Sequence, residues 1–193
     1  MGSIATFQTD VVDACSNPAY VWAVGAQKLA LAIDTFIKSA VITTSISGIW
    51  TSPVGASSAI VSSGTGVLTI TGTAALQSGI VNAYAHPVWA GIGTIIANAI
   101  NAYIPTGSIA TSDGPVYTGT GSGALILPPT AAVFINNMEL LYSNPANSWA
   151  GIGSQMCSLI TAYFATITCL TIDAGAVPPA GWIGTGVTTF TWS

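Results

Sequence analysis

The sequence has no arginine, and Lys28 and Lys38 are its only fixed cations. Without a basic cluster it cannot neutralise a run of phosphates, which excludes nucleic acid as a partner and docking on anionic lipid. Acids are also scarce: charged residues make up 4% of the 193, against roughly 25% in an ordinary soluble domain. Histidine occurs once, at His86. Cys15, Cys157 and Cys169 are an odd number of cysteines without CxxC spacing, a pattern of neither a zinc site nor a dense disulfide framework. They read as buried free thiols. The first six residues lack the basic start and long apolar run of a secretory signal, which points to folding in a cytoplasm.

What is present is apolar and small. Hydrophobic residues reach 51%, the net charge is −4 and the mean hydropathy is +0.68, a combination opposite to that of disordered chains. Thr, Ser, Asn and Gly, or other protein, must cover the surface that charge leaves bare.

Three segments align without gaps: Trp22 to Ile37, Trp89 to Ile104 and Trp149 to Phe164. Matched positions are Trp22/Trp89/Trp149, Ala26/Gly93/Gly153, Leu29/Ile96/Met156, Ile33/Ile100/Ile160 and Phe36/Tyr103/Tyr163. Steps of four, three, four and three trace one helical face, so each segment predicts a helix with a core stripe from Trp to an aromatic residue. The small residue one turn after each Trp leaves room for a close backbone. Pro18, Pro87 and Pro145 precede the three Trp residues and break the chain from an earlier helix, clearest over 74–85 and 131–142. Phe7, Leu76 and Phe134 stand at matched positions in that earlier helix.

Downstream, residues 39–48, 106–114 and 165–175 are rich in Thr and β-branched residues and read as strands. A Gly/Pro/Ser loop follows, longest over 50–63, and then a second strand opening on Gly64-Thr65-Gly66, Gly121-Ser122-Gly123 or Gly184-Thr185-Gly186. The fold predicted is α+β: three tandem helix-helix-strand-strand repeats, at 1–72, 73–129 and 130–193, with helices packed on small antiparallel β elements. Three such units either close around a pseudo-three-fold axis or stack in an open row.

Candidate chemistry is thin. His86 aligns with Asn17 and Asn144 before a proline, a turn or capping position and not a general base. Among the acids, Asp10 and Asp13 share a helix face, and Asp34 with Lys38 reads as a surface pair at i, i+4. Asp113 and Asp173 fall at equivalent positions after the first strand, where two turns are able to hold a hard cation such as calcium; an Asx-type turn is the preferred reading. Glu139 completes the set without a partner in sequence. The Gly-x-Gly elements precede strands and lack the Lys-Ser/Thr of a phosphate loop. No catalytic residues, cofactor, metal or small-molecule substrate are assigned, and the chain is not read as an enzyme.

The uncharged stretches 88–104 and 148–172 approach membrane-spanning length. Polar residues, Pro105 and the lack of flanking Lys or Arg disfavour that reading, and a membrane-embedded or pore-forming protein is kept as the alternative.

With its three Trp-to-aromatic helices and its Gly-Thr-Gly, Gly-Ser-Gly and Gly-Thr-Gly strands, the sequence resembles repeat-containing virion structural proteins of tailed bacteriophages. The resemblance implies a capsid decoration or neck/tail accessory protein, made in the host cytoplasm and located in the virion. Its partners would be other virion proteins and copies of itself.

Overall fold

The computed structural model describes residues 3–51, 57–114, 118–177 and 182–191. The chain opens with α1 (Ile4–Ser16) and α2 (Trp22–Lys38), followed by β1 (Val41–Thr51) and β2 (Ser57–Ile70). Next come α3 (Thr73–Tyr84), α4 (Ile92–Tyr103), a 3₁₀ turn (Ile104–Thr106), β3 (Gly107–Gly114) and β4 (Thr118–Ile126). The last elements are α5 (Ala131–Ser143), α6 (Trp149–Phe164), β5 (Thr168–Val177) and β6 (Trp182–Thr191).

The strands correct the expected fold class. They form no small separate β elements; β1 to β6 join in chain order, all antiparallel, into one closed barrel. The helices do not lie on sheet faces either. Each packs chiefly on the next, and α6 packs on α1, so six helices make a ring above one end of the barrel. The strands and the helices close on themselves and do not stack in an open row. The physical reason lies in the edges: a two-stranded element leaves both edges unpaired, and closure removes them.

Closure has simple arithmetic. Following paired residues from Ile42 leads through Gly66, Thr111, Gly121, Asp173 and Gly184 back to β1 at Gly48, six residues beyond the start. Each unit contributes an advance of two, the repeat of side-chain alternation, so inward residues stay inward all the way round. A six-strand barrel with so small a stagger is narrow, and glycine makes it possible. A methyl group on Gly64, Gly66, Gly121, Gly123, Gly184 or Gly186 would lie under 3.0 Å from an atom of a neighbouring strand.

Helix starts and ends follow local chemistry. Ser3 and Ser148 cap α1 and α6, their hydroxyls accepting from Thr6 N and Gly151 N at 3.1 Å in both cases. Gly91, at φ 96°, begins α4, and this left-handed residue delays the helix to Ile92, leaving Trp89 in the preceding turn. The second helix of one unit packs on the first helix of the next, where the small residues lie: Gly93 against Met138 and Glu139 of α5, Gly153 against Val11 and Val12 of α1. A single apolar cluster runs from the helices, with Phe7 stacked on Phe36 at 4.2 Å and Phe134 on Tyr163 at 4.1 Å. It continues into the near end of the barrel at Ile42, Ile109, Leu125 and Phe190.

Two further expectations change. The loop read over 50–63 is partly strand, because β1 runs to Thr51 and β2 begins at Ser57. In the third copy the Gly-Thr-Gly alignment slips by two: Gly186, not Gly184, pairs with Thr171, as Gly64 pairs with Thr44 and Gly121 with Thr111. The slip brings Thr188 inward where the other copies have Gly66 and Gly123, and Cys169 replaces Ile42 and Ile109 beside it. A smaller residue on one strand matches a larger one on the next, conserving volume in a packed interior.

Candidate functional site

Ile33, Ile100 and Ile160 are fully buried, and Phe36, Tyr103 and Tyr163 close the helical core above the barrel. At the other end of the stripe the three Trp rings meet. Trp22 lies 5.1 Å from Trp149 and 6.4 Å from Trp89, and Trp89 lies 4.8 Å from Trp149. Two of them are not sunk in the core: Trp22 is 56% and Trp89 49% exposed, flanked by exposed Val21 and Val88, whereas Trp149 is partly buried against the core. Together they form an aromatic crown at the outer end of the helical ring. Pro18, Pro87 and Pro145 lie in the turns beside it. There Asn17 Oδ1 accepts from Ala19 N and Asn144 Oδ1 from Ala146 N, both at 3.0 Å. At the matching turn His86 Nδ1 pairs with the Val88 carbonyl at 2.9 Å.

The outer wall of the barrel is the second exposed surface. Among the described residues, those facing outward on the six strands include no Asp, Glu, Lys or Arg. About half are Thr or Ser, and between them stand Val61, Val67, Ile172, Ile49, Leu170 and Val187, each more than half exposed. Leu170 pairs with Val187 across β5 and β6, next to Ile172.

Inside the barrel the unit alignment places Thr44, Thr111 and Thr171 on one level, and Ile46, Asp113 and Asp173 on the level beyond. All six side chains are buried. The two aspartates are not in turns, as sequence suggested, but on inward-facing strand positions. Asp173 accepts from the hydroxyls of Thr111 and Thr171, the latter at 2.7 Å. Asp113 has no hydrogen-bond partner at either carboxylate oxygen, and the Thr44 hydroxyl has none either. Burial first, then the like charge of Asp173, pushes the Asp113 carboxyl up to about 6.

The remaining polar residues are structural joints. Asp34 is 6% exposed and not the surface pair predicted. It accepts from Lys38 at 2.8 Å, from Thr73 at 2.6 Å and from Tyr103, binding α2 to α3 and α4. Burial alone would raise its pKa, and these three partners outweigh burial and lower it. Glu139 of α5 accepts from Gly91 N, Thr94 N and the Thr94 hydroxyl, capping α4 from a neighbouring unit. Its carboxyl is held below the usual range by these bonds against a burial penalty. Asp13 accepts from Asn17 and Tyr20, which lower its pKa in that order, and Lys28 sits 4.8 Å over the Tyr20 ring. Asp10 is exposed.

The cysteines are unpaired, with Cys157 and Cys169 buried. Desolvation pushes the Cys15 thiol up to about 11, away from nucleophilic use. Cys15 also begins a chain of polar contacts missed in the sequence, from its sulfur to Tyr84 at 3.8 Å and on to Tyr142 at 3.0 Å. Tyr84 and Tyr142 are matched by alignment in successive units, and that was the available signal. Among the described residues no three His, Cys, Asp or Glu side chains gather as a metal cluster. The chain matches no known protein family, no curated protein and no solved structure.

Proposed function

We propose that this protein is a structural component of a tailed-phage virion, a capsid decoration or neck/tail accessory protein that works through contacts with other virion proteins and with copies of itself. The observation that carries the reading is the uncharged barrel wall. A surface of Thr, Ser and aliphatic residues is buried against protein without stripping water from ions, the step that makes charged interfaces expensive. The aromatic crown adds a second contact surface, of the residue type enriched at interfaces. The pseudo-three-fold arrangement of units suits a three-fold or quasi-three-fold position on a lattice.

A membrane-embedded or pore-forming protein is less well supported. Among the described residues no helix is long and apolar enough to cross a membrane. The outer wall carries hydroxyls along its whole length, unlike the continuous apolar band of a bilayer-facing barrel. Among the described residues the inward-facing side chains of the barrel are buried, and its glycines lie against neighbouring strands.

Density-gradient purification of particles from the source of this gene, followed by quantitative mass spectrometry, tests the proposal. A fixed copy number per particle, retained through washes of high salt, is the expected result. A chain absent from particles, and monodisperse and monomeric in dilute buffer, would count against it. Recovery only in the membrane pellet after alkaline carbonate extraction would favour the alternative.

A further inference from the structure

We propose that the barrel interior holds a hard, oxygen-preferring divalent cation of the calcium type, bound between Asp113, Thr44 and Asp173. Three features lead there. Asp113 is 6% and Thr44 2% exposed, yet neither carboxylate oxygen of Asp113 nor the hydroxyl of Thr44 has a hydrogen-bond partner. Burying such groups without partners is strongly unfavourable, and native structures avoid it.

The unpartnered oxygens also converge. Asp113 Oδ1 and Thr44 Oγ1 each lie under 3.0 Å from the point where a side chain at Gly64 would begin. They make no hydrogen bond to each other, and an ion coordinated at about 2.3–2.6 Å would take both as ligands.

Finally, the local charge is unbalanced. Asp113 and Asp173 are both buried carboxylates facing the barrel interior, while both lysines are on helices. The oxygen atoms of Asp173 hold hydrogen bonds from Thr111 and Thr171 and have lone pairs left for a cation or its water. All donors are oxygen, the set that suits calcium rather than zinc or copper.

The test is calorimetric titration of calcium chloride into chelator-stripped protein, with thermal unfolding at each calcium concentration. One calcium per chain and a Tm that climbs with the logarithm of calcium are expected. Asp113→Asn should weaken binding at least tenfold, while Asp10→Asn, on the exposed face of α1, should leave it unchanged. The variant has good reason to fold, because Ile46 occupies the equivalent position in the first unit without any charge. Absence of saturable binding to the wild type up to about 10 mM calcium, above the weak end of protein calcium sites, would overturn the proposal whether or not the variant folds. Calcium binding of equal strength in Asp113→Asn would overturn it as well.

Discussion

Replacing Gly93 by alanine separates two arguments that give opposite signs. By helix propensity alone, alanine in place of glycine inside α4 stabilises by about 1 kcal/mol. The packing of α4 on α5 says the reverse. A methyl group at Gly93 would overlap the Met138 carbonyl and come within 2.7 Å of Glu139 N, all of it backbone. No rotamer change relieves contact with backbone, so the helices must separate. Overpacking of this kind costs about 3 kcal/mol at the upper end of its usual range, which leaves a net loss of about 2 kcal/mol after the propensity gain. With a urea m-value of about 2 kcal/mol/M the midpoint should fall by about 1 M. Gly153→Ala is the internal comparison. Its methyl would meet Val12 Cα at 3.0 Å, a contact that a small shift relieves, and its midpoint should stay within about 0.5 M of wild type. Urea unfolding followed by far-UV circular dichroism measures both. A Gly93→Ala protein more stable than wild type would show that α4 and α5 do not touch as described, and the closed helical ring would fall with them.

Asp34→Asn should cost about 2 kcal/mol at pH 7, since it weakens three hydrogen bonds to a charged acceptor, discounted because Lys38 is partly exposed. The folded pKa of Asp34 is depressed, so its contribution is present above the unfolded carboxylate range and disappears as pH falls through the folded value. The gap in urea midpoint between wild type and variant should therefore close on acidification below about pH 4, and a gap constant down to pH 2 would contradict the assignment. Trp22→Ala should cost about 1–2 kcal/mol, reflecting three aromatic contacts, to Tyr84, Trp89 and Trp149, at a half-exposed site; a loss above about 4 kcal/mol in thermal or urea unfolding would mean a core residue. Iodoacetamide at pH 8 should leave Cys157 and Cys169 unmodified in the native protein and alkylate both in urea, which intact-mass spectrometry reads directly.

The period-3.6 stripes located the helices because both halves of that signal, the aromatic ends and Ile33, Ile100 and Ile160, are set within one segment. Closure of the strands into one barrel was not legible, because it depends on which strands pair across units, and alternation says only which face is buried. Even so, Ile109, Thr111 and Asp113 stand at alternate positions, as do Cys169, Thr171 and Asp173. Strict alternation would have turned both aspartates inward; the nearby Gly114 and Gly175 drew them into turns instead. Asp34 was misplaced for a different reason. Its local partner Lys38 was visible at i, i+4, while Tyr103 comes from 69 residues away. The Gly-Thr-Gly slip in β6 was invisible because a shift of two preserves the inward face, and only the pairing of Gly186 with Thr171 reveals it. Glu139 capped α4 from outside its own unit, which no local capping pattern records.

The claim that unites the uncharged wall, the aromatic crown and the three-fold closure is that this chain works by being covered. Electron cryo-microscopy of particles carrying it tests that claim most directly. Density for the helical ring and barrel is expected at regular positions, with the barrel wall or the Trp22/Trp89/Trp149 crown buried against neighbouring subunits. Particles that lack the chain, or carry it with both surfaces open to solvent, would contradict the account.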